Sequence, residues 1–200
     1  MGDAVPFLVT PELINRDGRY IDPQYPAWFA HDIIDCAADK AHIDTVILLT
    51  SADAGFMPGT REVLERAFAK WGCVHLRRRN FQRIDAPITN PEIVLTGGDY
   101  PGMDTCAFTA GWWRFARKLL PDVLYGRQHW DSAMRNLIRL SQGIELRDLE
   151  WHEEHWPTVW GSGKTNAANL YNERLVCEWI GRHGGSTQDH NYSTSELGYH

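Results

Sequence analysis

TVILLTSADAGF, residues 45–56, is the stretch on which the reading of the fold turns. Thr45 to Thr50 form an almost unbroken apolar and β-branched run. Such a run predicts a strand buried on both faces, the usual form of a central parallel strand in an α/β sheet. It stops at Ser51-Ala52-Asp53-Ala54-Gly55, small residues around a single carboxylate. Ligands of open α/β sheets sit at the carboxyl ends of the strands, so Asp53 stands where chemistry is done. The same carboxylate suits a cap for the helix that opens near Pro58.

The flanking segments extend the alternation of helix and strand. Upstream, Trp28, Phe29, Ile33, Ile34, Ala37 and Ala38 recur at helical spacing between Pro26 and His42. Downstream, Pro58-Gly59 open a helix presenting Val63, Leu64, Ala67, Phe68 and Trp71, and Gly72 stops it. Cys73–Leu76 reads as a short strand ending in Arg77-Arg78-Arg79-Asn80. Guanidinium groups at a strand's end suit phosphate oxygens, or else a solvated edge or acidic-residue partners. Residues 81–104 read as a loop with one short apolar piece, Ile93-Val94-Leu95.

A strand over Thr105–Ala110 then leads to helices at Gly111–Leu120 and Gln128–Ser141. Short strands follow at 144–146 and 149–151, then a helix at Asn166–Ile180. At the front, Pro6–Thr10 suits a short strand and Asn15–Arg19 a turn. The pattern predicts one α/β domain over residues 1–183 and a flexible polar tail over 184–200.

A formal net charge of −6 argues against a nucleic-acid partner, whose phosphates require excess Lys and Arg. Cys36, Cys73, Cys106 and Cys177 lie far apart with no C-x-x-C pair, which predicts buried reduced thiols rather than zinc ligands. No apolar run approaches membrane-spanning length, and the N-terminus lacks the pattern of a signal peptide. The expected location is cytoplasmic. Nine Trp suit cores, interfaces and sugar-binding clefts alike.

Among motifs, Gly163-Lys164-Thr165 is not a P-loop, because Thr158 stands where that motif needs glycine. His152-Glu153-Glu154-His155 is not H-E-x-x-H. On a strand, His152 and Glu154 share one face, Glu153 and His155 the other. A histidine here suits a site begun by Asp53, with oxygen ligands favouring Mg2+ or Mn2+, or a polar surface segment. Asp99, Asp104 and Asp131 sit at element edges beside aromatics and glycines. Asp131 also falls in the first turn of a helix, where an acid offsets the dipole.

These pieces, in this order, resemble GT-A-type nucleotide-diphospho-sugar glycosyltransferases over residues 26–182. The likeness covers a helix like Pro26–Ala41 and a strand ending in Thr50-Ser51-Ala52-Asp53, where such enzymes carry a Thr-Asn-x-Asp-like or Asp-x-Asp motif. It continues through Pro58-Gly59, Gly102-Met103-Asp104 to Phe108, and Leu124-Tyr125-Gly126 leading to Trp130-Asp131. It closes with His152 to His155 and Tyr171-Asn172-Glu173-Arg174-Leu175. Ser51 stands where such enzymes often have a second acid.

The resemblance implies a GT-A-like (Rossmann-like) mixed central sheet flanked by helices. Such enzymes begin with a strand and a helix that hold the nucleotide base, and a departure from that pattern is expected here, where about two dozen residues precede Pro26. It implies that Asp53, completed by His152 or His155, holds the Mn2+ or Mg2+ that bridges the donor's diphosphate. It places Asp104 in the acceptor and sugar pocket and makes Asp131 the base or a sugar-orienting carboxylate. Arg77 and Asp99 are the further substrate-binding candidates. Trp112, Trp113 and Trp130 either offer faces to sugar rings or pack in the core. The expected substrates are a nucleotide-sugar donor and a glycan or small-molecule acceptor. Two other readings stand beside this one: a catalytically inactive relative that binds a glycan or partner protein, and a metal-dependent hydrolase using Asp53, Asp104 and the 152–155 cluster.

Overall fold

A computed structural model describes residues 28–100, 102–154 and 167–185. Its first elements are α1 (Ala30–Ala38), β1 (Val46–Leu49), β2 (Gly55–Phe56), α2 (Thr60–Phe68) and β3 (Cys73–Phe81). There follow α3 (Pro91–Val94), β4 (Gly98–Asp99), β5 (Thr105–Thr109), α4 (Ala110–Ala116), α5 (Trp130–Leu140), β6 (Ile144–Glu153) and α6 (Ala167–His183). The expected strand at 6–10, the turn at 15–19, His155, Gly163-Lys164-Thr165 and the tail beyond 185 lie outside the described residues.

Period-two alternation along β3 and β5 builds two apolar layers. Cys73, Cys106 and Phe108 face a core filled by Ile34, Trp113, Met134, Leu137, Ile138, Val176 and Trp179. Val74, Leu76 and Ala107 face a second cluster that includes Leu64, Ala67 and Phe68 of α2. Helices thus cover both faces of one mixed sheet, an α/β arrangement. Burial pushes the Cys73 thiol up to about 12, which suits an inert core residue. Cys177 is exposed, unlike the buried thiols expected.

The sheet order is β1-β5-β3-β6-β2, with β4 beside β3. Among the described strands β3 and β6 pair in parallel and the other pairs are antiparallel. This corrects the expectation for 45–50. β1 is an antiparallel edge strand, not a central parallel one, and Val46 and Leu48 are 43% and 44% exposed. An all-apolar run carries no alternation, so it hides which of its faces is open.

The centre of the sheet is β3, which runs on through Arg77-Arg78-Arg79-Asn80 rather than ending before them. The loop expected over 81–104 contains α3 and β4. The two strands expected at 144–146 and 149–151 are one, β6, interrupted by a bulge. Pairing jumps there from Arg77↔Arg147 to Arg78↔Glu150. Asp148 sits in the bulge at φ 61°, a region Asp tolerates, and its Oδ1 accepts from Arg79 Nε at 2.7 Å. The bulge sets Glu150 directly between Arg78 and Phe56.

Beside Glu150, Gly55 pairs with Trp151, and a Cβ on Gly55 would lie 2.2 Å from the indole. The ring is pinned by its Nε1, which donates to Ile88 O at 3.2 Å. Gly55→Ala is therefore expected to destabilise the protein by about 1–3 kcal/mol and to change its near-UV circular dichroism. Urea unfolding of the variant checks this.

His75 pairs with Glu145 across β3 and β6 and is 7% exposed. Burial lowers its value to about 4; Glu145 opposes this, while Arg135, Arg77 and Arg147 reinforce it. Between pH 6.5 and about 4 the unfolded chain takes up a proton at this site that the folded one refuses. Stability is thus expected to fall as pH drops through that window, by roughly 3 kcal/mol in all. In His75→Gln this part of the slope disappears, read as a shallower pH dependence of the urea midpoint between pH 7 and 4.

Candidate metal centre

The carboxyl ends of β1, β3 and β6 lie at the same edge of the sheet as the start of β5, given the strand directions. Thr50 and Thr105 join β1 to β5 there, their hydroxyls 2.7 Å apart. That bond brings the segment ending in Asp53 beside the one that carries Asp104. Asp53 does not cap α2. The N-cap of α2 is Gly59 at φ 84°, and it makes no side-chain capping bond.

Asp104, Glu150 and His152 each offer a ligating atom, and these atoms lie within 4.8 Å of one another. Glu150 and His152 are separated by two residues, so they share a face of β6, and His152 Nε2 lies 2.8 Å from Glu150 Oε1. His152 Nδ1 is 3.2 Å from Arg78 Nη1 and 3.8 Å from Asp53 Oδ1. Guanidinium offers only donors, so Nδ1 accepts from Arg78 and Nε2 donates to Glu150. Arg78 also touches Asp104, and its guanidinium stacks 3.8 Å from the centre of the Tyr100 ring. A positive group therefore already bridges Asp104 and His152.

Glu150 is wholly buried, with 0% exposure, and its Oε2 has no hydrogen-bond partner among the described residues. Ser51 Oγ nearby in sequence to Asp53 is likewise buried and unpartnered among them. A buried carboxylate oxygen without a donor is costly unless a cation compensates it. Two carboxylates and an imidazole suit a divalent ion, and Mn2+ accepts both donor types. Glu150 Oε1 meets the imidazole Nε2 and fixes the ring, while its Oε2 is the oxygen left to offer a cation. The residues present fit such an ion.

The structure thus groups Asp104 and His152 and adds Glu150, while Asp53, expected as the first metal ligand, stands 3.8 Å from His152 Nδ1 and outside that group. Glu150 was not among the residues expected from the sequence. The signal was available, since Glu150 lies two residues before His152 in the same strand.

Other expected site residues lie elsewhere. Arg77 is 5% exposed and is held in a two-pronged pair, with Nε and Nη2 each 2.7 Å from an Asp99 oxygen. Both candidates for substrate binding are therefore bonded to one another. Trp130 is buried in the main core against Tyr125, and Trp112 packs on the same core beside Phe108. Asp131 accepts from the Ser132 amide at 3.0 Å, serving the first turn of α5, and is not in the Asp104–Glu150–His152 group. His155 lies outside the described residues.

No helix among the described residues is long and apolar enough to cross a membrane. Compared with protein-family models, with curated proteins and with solved structures, the chain has no match in any of the three.

Proposed function

We propose that the protein binds a divalent cation, Mn2+ or Mg2+, at Asp104, Glu150 and His152, and transfers a sugar from a nucleotide-diphosphate donor there. One observation carries the reading: the wholly buried Glu150, with an unpartnered oxygen, beside His152 and Asp104. The nature of the donor is supported by the sequence resemblance to GT-A-type enzymes, and it places the diphosphate next to the ion. When bound, such an ion neutralises the charge that grows on the leaving diphosphate.

Within this reading each side chain has a task. Glu150 fixes the His152 ring through Nε2, leaving Nδ1 directed at Arg78 and Asp53. Arg78 holds the ion's place, and when displaced, its guanidinium suits a phosphate oxygen pair. Asp53, whose side chain is 45% exposed, is the carboxylate open to an incoming hydroxyl and takes its proton. Asp131 has no part in the chemistry.

Calorimetric titration with a panel of nucleotide sugars tests the transfer reading. Saturable binding that requires Mn2+ is expected for at least one. Absence of binding to all of them overturns it.

A second reading, a binding protein without metal chemistry, is favoured by Arg78 itself. Its guanidinium already supplies positive charge between Asp104 and His152. Arg78→Gln separates the two. Removal of a competing cation strengthens Mn2+ binding in the first reading, whereas in the second neither the wild type nor the variant binds Mn2+.

A further inference from the structure

Nearer the start of β3 and β6, a cleft of about 380 Å³ opens against the last turns of α5. His75, Arg135, Asn136, Arg139, Gly143 and Glu145 line it. This volume lies at the small end of ligand pockets, roughly 300–1,000 Å³, enough for a compact anion with a small group attached.

The charges around the cleft are unequal. One carboxylate, Glu145, and three guanidinium groups, Arg135, Arg77 and Arg147, act on the buried His75. Glu145 lies close only to Arg147, at 2.6 Å; Arg77, Arg135 and His75 are 3.7–3.8 Å from it. Arg77 has its own counter-charge in Asp99. Arg139 adds a further guanidinium, which donates to the neutral Asn136 Oδ1 at 3.2 Å. No carboxylate among the described residues lies within ion-pair distance of it. Its place in the last turn of α5 accounts for one cation, since a positive group there offsets the helix dipole. It does not account for Arg135, one turn earlier on the same helix, which lines the cleft as well.

We propose that this cleft binds a phosphate dianion, free or as the phosphate end of a small phosphomonoester. Arg139, at the exposed rim, and Arg135, more buried, carry forks that match phosphate oxygens, and the Asn136 amide oxygen accepts from Arg139 and so orients it. Glu145, the carboxylate in the lining, is taken up by Arg147 at 2.6 Å and lies 3.7 Å from Arg135. Gly185, just past α6, lies against the same amide; a Cβ there would come within 2.6 Å of Asn136 Oδ1. The site draws on residues distinct from those of the metal centre, so either can fail alone.

Calorimetry on the full chain, with divalent cations chelated and ionic strength held by chloride, tests the proposal. The probes are inorganic phosphate and glycerol 3-phosphate. Saturable binding of at least one is expected, weakened about tenfold by Arg139→Gln and partly restored by Arg139→Lys. Arg139 is exposed, so the variants keep the core intact. Tighter binding of the ester identifies a phosphorylated metabolite as ligand, and equal affinities identify free phosphate. No saturable heat with either probe, or equal affinity in Arg139→Gln, overturns the proposal.

Discussion

Glu150→Gln is expected to lower the affinity for Mn2+ by about 10- to 100-fold, the usual effect of losing a carboxylate that orients or completes a metal site. Glutamine keeps the size of the side chain and a carbonyl oxygen able to accept from His152 Nε2, so the imidazole can stay in place. What disappears is negative charge at a wholly buried position. In the wild type, saturating Mn2+ is expected to raise the melting temperature, because a ligand bound only by the folded state adds to stability. In Glu150→Gln that increment shrinks at the same Mn2+ concentration, while the metal-free variant unfolds at or above the wild-type temperature. If the metal-free variant unfolds far below the wild type, Glu150 is a structural partner of His152 and nothing more.

The largest stability effect is expected at Asp99. Asp99→Asn removes the charge that meets the buried Arg77 fork at two points, 2.7 Å each. Breaking one side of a buried ion pair leaves the other charge uncompensated, typically at a cost of 3–5 kcal/mol. Glu145, 3.8 Å from Arg77 Nη1, offsets part of it, so a loss of about 3 kcal/mol is expected. Urea unfolding measures it directly. The outcome also separates two roles for this pair. Residues that serve substrate rather than the fold would leave stability nearly unchanged and weaken donor binding instead.

Helices were the most legible part of the chain. Leu64, Ala67 and Phe68 in α2, and Trp130, Met134, Leu137 and Ile138 in α5, carry the 3.6-residue period on their own. Strand positions were harder. Thr45–Thr50 has no polar residue between its apolar ones, so its open face and edge place in the sheet could not be seen. Arg77-Arg78-Arg79 suggested an end to β3, because three adjacent charges are rare inside a strand. Each found a separate partner instead: Asp99, then Asp104 with His152, then Asp148. Arg147-Asp148 divided β6 in the same way, and the division marks a real bulge. Ending the second expected strand at Trp151 hid Glu150, since its sharing a face with His152 follows only when 149–153 is read as one strand. Elements as short as β4 and α3 lie below any period a sequence can display.

Of the candidate group, Asp104 and His152 were legible because polar residues stood at the ends of apolar segments, and Asp53, prominent for the same reason, lies beside the group rather than in it. Asp131 was equally prominent for a local reason, the first turn of α5, which sequence alone does not distinguish from chemistry.

Anomalous diffraction from crystals grown with Mn2+ tests the metal centre most directly. One strong peak is expected within coordination distance of Asp104 and His152, with Glu150 ligating or bonded to the imidazole and Arg78 withdrawn from between them. A structure grown in saturating Mn2+ with no peak there, and Arg78 still bridging Asp104 and His152, would contradict it.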